Sequence, residues 1–116
     1  MRYDGTMLIT ERLEECQRFY AALLGTRPAP GAGWARFVLA DGSWIALHTP
    51  WQPGMTATGG SQVLLLQVDS LEDEIARLTA AGIACSEPHE IPGGAVLTIC
   101  DPDDRMIQLI AYSAEG

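Results

Sequence analysis

The segment Leu13-Glu14-Glu15 that leads into Phe19-Tyr20 returns, loosened, as Leu71-Glu72-Asp73 leading into Leu78, 58 residues further along the chain. In both copies a strand-like stretch comes first (Thr6 to Thr10; Val63 to Val68), then an amphipathic helix, then a glycine (Gly25; Gly82), then further strands. A repeat of this length makes the chain two copies of one supersecondary unit, neither of them large enough to bury its apolar face alone. The copies are therefore expected to pack together, with any ligand pocket on the surface they share.

At 116 residues the chain has the size of one domain. The punctuation along it divides that domain into a first module over about 3–50, a linker over about 50–60 and a second module over about 61–113. In the first module a strand over Asp4 to Thr10 precedes a helix opened by Glu11-Arg12. The apolar positions Leu13, Cys16, Phe19, Tyr20, Leu23 and Leu24 of that helix recur at helical spacing and form one buried stripe. Gly25 ends it, and Arg27-Pro28-Ala29-Pro30-Gly31 cannot continue it. Trp34 to Ala40 and Ser43 to Thr49 are apolar segments joined by Asp41-Gly42, a dipeptide suited to a tight antiparallel hairpin. Pro50 to Gly60, with Pro53-Gly54 and Gly59-Gly60 and no periodicity, reads as the linker.

The second module opens on the apolar run Gln62 to Val68. Asp69-Ser70 is placed to cap a helix over Leu71 to Ala81, whose buried face is Leu71, Ile75 and Leu78. Gly82 closes that helix, Ile83 to Cys85 reads as a short extended piece, and Pro88 to Gly94 as a polar loop. Strands over Ala95 to Cys100 and Met106 to Tyr112 flank Asp101-Pro102-Asp103-Asp104-Arg105, a turn of residues that bond their own backbone. Each half is thus a strand, a helix, then two or three strands, an α+β arrangement.

Charge and cysteines narrow the function classes. Seven basic residues against fifteen acidic ones leave a net charge of −8, and the basic ones are scattered. That balance argues against nucleic acid or an anionic membrane as partner. It favours a cationic ligand, or else serves only solubility. No apolar run approaches a bilayer span and the N-terminal residues carry no secretory pattern, so the cytoplasm is the expected compartment. Cys16, Cys85 and Cys100 form neither a disulfide framework nor a zinc motif and are expected as buried thiols. No nucleophile elbow, P-loop or dinucleotide fingerprint occurs, and Cys100 with His48 has no third orienting group.

Two βαβββ units of this length, with Leu-Glu-Glu before Phe19-Tyr20 and Asp101-Pro102-Asp103 before the Ile107-Gln108-Leu109 strand, resemble the vicinal oxygen chelate superfamily of glyoxalases, extradiol dioxygenases and bleomycin-resistance-type binding proteins. The resemblance runs from about Tyr3 to Tyr112. It implies two tandem modules forming a curved mixed sheet around a cleft, often in a homodimer. In metal-dependent members each half supplies one ligand from its first strand and one from its last. Those positions fall here on Gly5 and Val63, on Ala46 or with a two-residue slip His48, and on Gln108. That set lacks the carboxylate and imidazole donors a divalent ion needs. His89, in a loop beside Pro88, reads as an exposed polar residue. The expectation is therefore a member without metal or other cofactor.

Strand alternation assigns Gly5, Met7 and Ile9 to the concave face, joined by Trp44, Ala46 and His48 from the same module. Val63, Leu65, Gln67, Met106, Gln108 and Ile110 follow from the second. The expected ligand contacts are Met7, Trp44, His48, Leu65, Gln67, Met106, Gln108 and Ile110: apolar walls with a few hydrogen-bonding points, suited to a flat organic molecule. Trp44 offers a stacking face, with simple core packing as its alternative role. Trp51, between prolines in the linker, closes over a ligand or a neighbouring subunit, or else packs at an edge. The function these features favour is sequestration of an apolar or aromatic compound, with catalysis absent. The alternatives are a glyoxalase-like enzyme with an atypical or missing metal site, and a protein whose filled cleft serves only interaction with another protein.

Overall fold

The computed structural model describes residues 1–57 and 62–113, so the last part of the expected linker, 58–60, lies outside the described residues. The chain forms two compact units, Met1–Thr58 and Gly59–Gly116. The first contains β1 (Gly5–Ile9), α1 (Leu13–Leu24), β2 (Ala29–Gly31), β3 (Trp34–Val38) and β4 (Trp44–His48). The second contains β5 (Leu64–Gln67), α2 (Leu71–Ala80), β6 (His89–Ile91), β7 (Gly94–Cys100) and β8 (Met106–Tyr112). Their sheets have equivalent orders, β1-β4-β3-β2 and β5-β8-β7-β6. In each, the first strand pairs parallel to the last, and the remaining neighbours are antiparallel. The two helices start 58 residues apart, at Leu13 and Leu71, as the repeat requires.

The periodicities explain which face each element buries. Cys16, Tyr20 and Leu23 of α1 are buried, and the helix lies on β3 and β4. There Ala35, Phe37, Ile45 and Leu47 point toward it and are almost wholly inaccessible. Tyr20 sits with its ring centroid 6.4 Å from that of Phe37. Thr10, also buried, is satisfied locally: its hydroxyl accepts from the Arg12 amide at 2.9 Å and lies 3.4 Å from the Cys16 sulfur. Gly25, at φ 66°, takes the left-handed conformation that ends α1, and its amide donates to the Ala21 carbonyl. In the second unit α2 lies on β7 and β8, burying Leu71 and Leu78 while Ile75 stays partly accessible. Ser70 caps α2, its hydroxyl accepting from the Asp73 amide at 3.1 Å. Among the described residues no helix is long and apolar enough to cross a membrane.

Three expectations need correction. Pro88 to Gly94 is not a loop throughout, because His89–Ile91 pairs with Gly94–Val96 as the edge strand β6. Pro92-Gly93, with Gly93 at φ 84°, is the two-residue turn that makes this hairpin. Such an edge strand bonds on one side only and so tolerates polar residues. Ile83 to Cys85 is not a strand; the chain there is held to β7 through Ser86, which bonds Thr98 by both its amide and its hydroxyl. Finally, only Cys16 is buried, while Cys85 is intermediate and Cys100 is exposed. Cys100 ends β7 opposite Met106, on the sheet face that α2 does not cover.

The turn between β7 and β8 is the most strongly bonded loop of the second unit. Asp101 Oδ1 accepts from the amides of Asp103 at 2.8 Å and Arg105 at 2.9 Å, while Oδ2 accepts from Arg105 Nη1 at 2.7 Å. The side chains of Asp101 and Arg105 are 0% and 10% exposed. Removing Asp101 takes the closer carboxylate from the buried Arg105, which keeps Asp103 at 3.3 Å, and leaves two backbone amides without their acceptor. Asp101→Ala is expected to lower unfolding free energy by about 3 kcal/mol. Asp101→Asn, which keeps an acceptor for the backbone amides, is expected to lose less; urea denaturation followed by circular dichroism reads both.

Candidate functional site

The helix-free face of the first sheet is built in three rows. Cross-strand pairing aligns Gly5 with Trp44 and Val38, Met7 with Ala46 and Arg36, and Ile9 with His48 and Trp34. The two tryptophans do not stand over the middle of the sheet. A Cβ added to Gly5 would fall within the Trp44 indole and 2.5 Å from the Trp44 carbonyl oxygen, so Trp44 leans from β4 over the outer strand β1. Trp34 leans the opposite way, from β3 over Gly31 of the outer strand β2, where a Cβ would likewise fall within its ring. Both indoles lie toward the sheet edges and the centre of the face is left to Ala46. The result is a cavity of about 260 Å³ lined by Met7, Trp34, Arg36, Trp44, Ala46 and His48.

Polar bonds fix the walls. Asp4 accepts the Trp44 indole N–H at 2.8 Å, which satisfies the one polar atom of that ring and sets its orientation. His48 Nδ1 lies 2.6 Å from the Thr49 carbonyl oxygen. A carbonyl only accepts, so Nδ1 carries a proton and Nε2 is the nitrogen left for a ligand. Trp51 meets the His48 ring edge-on, with centroids 4.6 Å apart and planes at 72°. It is 55% exposed: a linker aromatic packed on a wall residue of the cavity. Arg36 is exposed and pairs with no carboxylate among the described residues.

Of the residues expected to contact ligand, Met7, Trp44 and His48 are brought together in this cavity. Leu65, Gln67, Met106, Gln108 and Ile110 share the helix-free face of the second sheet, where Leu65 pairs with Gln108 and Gln67 with Ile110. Leu65 and Met106 are exposed at 57% and 41%, whereas Ile110 is buried. Trp34 and Arg36 were not among the expected contacts. Their signal is the Asp41-Gly42 hairpin, which places alternate residues of β3 beside those of β4. A second depression of about 460 Å³, lined by Arg2, Tyr3, Asp4, Asp41, Gly42 and Ser43, lies beside the β3–β4 turn. It is polar, and its one ring, Tyr3, is tied to the Thr6 hydroxyl.

A family model described as the Glyoxalase/Bleomycin resistance protein/Dioxygenase superfamily matches residues 2–109. The chain belongs to this superfamily. No curated protein matches it in sequence. Among solved structures it is similar to TnmS3, an antibiotic binding protein from Streptomyces sp. CB03234, with 26% identity over 97% of each chain and a TM-score of 0.78. It is similar also to protein ATC0852 from Agrobacterium tumefaciens, with 27% identity over 98% of this chain and 99% of that one and a TM-score of 0.81. The fosfomycin resistance protein FosX from Mesorhizobium loti, at 16% identity over 99% and 94% and a TM-score of 0.71, shares the fold.

The residues at the positions where the resemblance implies metal ligands do not fit a divalent ion. Gly5 has no donor, and the indole above it leaves no space for an imidazole. Ala46 contributes no donor, the two-residue slip offers the His48 imidazole alone, and among the described residues no group of three or more His, Cys, Asp or Glu side chains is placed to hold a metal. Neutral Gln108 stands where the resemblance implies a carboxylate. Nor is Cys85 an activated thiol, since burial and then the charge of Glu74 push its pKa up. The Trp44–Gly5 contact is directly testable. Gly5→Ala is expected to displace the indole and cost about 2 kcal/mol, as overpacking does. A red-shifted tryptophan emission in the folded variant would report the displacement.

Proposed function

We propose that this superfamily member is a small-molecule binding protein of the bleomycin-resistance type, which sequesters an apolar or aromatic compound without a metal and without converting it. The observation that carries this reading is the cavity framed by Trp34, Trp44 and His48 over Ala46. It offers apolar walls, an imidazole nitrogen and a guanidinium, on a face whose donors do not suit a metal. Its volume lies near the lower end of ligand sites, about 300 Å³, and suits a compound of one or two rings. Likeness to an antibiotic binding protein at 26% identity supports the same reading. The helix-free face of the second sheet, carrying Leu65, Gln67, Met106, Gln108 and Ile110, combines apolar area with amide groups and is assigned to ligand contact on the same ground. The outer edges of β1 and β5 carry no strand partner among the described residues, which supports association of two copies.

Titration with planar aromatic compounds is expected to quench tryptophan emission saturably. Trp44→Ala should weaken binding by roughly tenfold, the equivalent of about 1.4 kcal/mol of lost stacking and burial. Gln108→Ala should weaken it severalfold, with the circular dichroism melt confirming that both variants fold. Dialysis against zinc, nickel, manganese and iron should leave no stoichiometric metal. One tightly held ion per chain, with turnover abolished by chelator, would sink this reading in favour of a glyoxalase-like enzyme. Light scattering is expected to give the mass of two chains; a monomer at micromolar concentration would refute the association.

A further inference from the structure

Resting on the binding reading above, we propose that the first-sheet cavity selects planar aromatic anions: a ring system carrying a carboxylate or an ionised phenol or enol oxygen that Arg36 pairs with. Among the side chains lining the cavity, Arg36 is the one that always bears charge, and no carboxylate lines it. Asp4, which accepts the indole N–H of Trp44, stands outside the lining. Arg36 sits in the central row, beside Ala46 and two strands from Met7, so its guanidinium borders the open floor that the outward-leaning tryptophans leave. A guanidinium that pairs with no carboxylate among the described residues presents a planar fork of N–H donors matched to a carboxylate.

The other walls fit the same ligand. Trp34 and Trp44 supply ring faces, and both are held by contact with glycine on a neighbouring strand, so little ordering accompanies binding. With Nδ1 donating to the Thr49 carbonyl, the bare Nε2 of His48 accepts, so in the row next to Arg36 it suits a hydroxyl or N–H elsewhere on the ring system rather than the anionic oxygen. A cationic ring would meet the guanidinium as a like charge. The expected ligand thus carries the same sign as the protein's net charge of −8, opposite to the cation that the overall acidity favours.

Three probes of one shape separate the outcomes: 2-naphthoate, 2-naphthamide and 2-naphthylmethylammonium, titrated by calorimetry at low and at physiological salt. The acid is expected to bind about tenfold more tightly than the amide, as a charge-assisted bond provides, and the ammonium most weakly. Arg36→Gln should remove the preference for the acid by lowering acid affinity more than amide affinity, and Arg36→Lys should restore part of it. Arg36 is exposed, so these variants leave the core intact, which thermal melts check. Equal binding of acid and amide, tighter binding of the ammonium, or a preference unchanged in Arg36→Gln would overturn the anion selectivity and leave the binding reading standing. No binding of any probe would overturn both.

Discussion

The indole of Trp44 lying over Gly5 is the contact on which the functional face depends. It joins the parallel strands β1 and β4 at the row where their pairing begins, and it requires glycine on β1 because any Cβ would occupy the ring's place. Asp4, one residue before the strand, accepts the indole N–H and fixes the ring's direction. Three consequences follow from that one placement. A cavity wall is set, the centre of the sheet is left open above Ala46, and Gly5, where the resemblance implies a metal donor, is covered by an apolar ring. Trp34 over Gly31 repeats the arrangement at the other edge, so an aromatic covers a glycine on both outer strands.

The two modules keep one hydrogen-bonding scheme and differ in what they place on the helix-free face. β1–β4 and β5–β8 are both parallel pairs flanked by antiparallel neighbours, and both helices cover the opposite face. The hairpin to the outer strand shows how side chains diverge on a shared backbone. In the first module the outer strand carries glycine and the inner one tryptophan, Gly31 opposite Trp34. In the second, Ile91 on the outer strand faces Gly94 on the inner one. A Cβ at Gly94 would run into the Ala111 carbonyl, a backbone atom. Glycine therefore serves a ring in one module and close backbone approach in the other. The corresponding faces end up aromatic and basic in one unit, aliphatic and amide-bearing in the other.

Much of the fold was legible in the sequence because its determinants are local. Helix starts follow from Leu13 and Leu71 with their apolar spacing, helix ends from Gly25 and Gly82, and the β3–β4 hairpin from Asp41-Gly42, whose glycine takes φ 88°. What escaped is set by pairing rather than by composition. β6 is three residues of mostly polar character made into a strand by the Pro92-Gly93 turn and by β7 beside it. Cys100 has the composition of a core residue, but its place at the end of β7 opposite Met106 puts it in solvent. Within the cavity, Met7, Trp44 and His48 were readable from alternation along their own strands. Trp34 and Arg36 became visible only once β3 was aligned with β4. The outward lean of both tryptophans has no sequence periodicity behind it and depends on which strand lies next to each.

The acidity of the chain illustrates how far a global property is from a local one. Many of its carboxylates have structural uses: Glu14, Glu15, Glu72, Asp73 and Glu74 occupy the first turns of the helices, where they complement the helix dipole. Asp41 orders the β3–β4 turn through the Ser43 hydroxyl and then its amide, which hold the carboxyl below its ordinary value. Asp101 and Asp103 serve Arg105. At physiological salt, exposed charges beyond about 8 Å are largely screened. The field inside a cavity is therefore governed by its lining, and the charge of the whole protein is a poor guide to the ligand. In this fold the helix starts and turns account for much of the negative charge, and the sheet centre keeps an arginine.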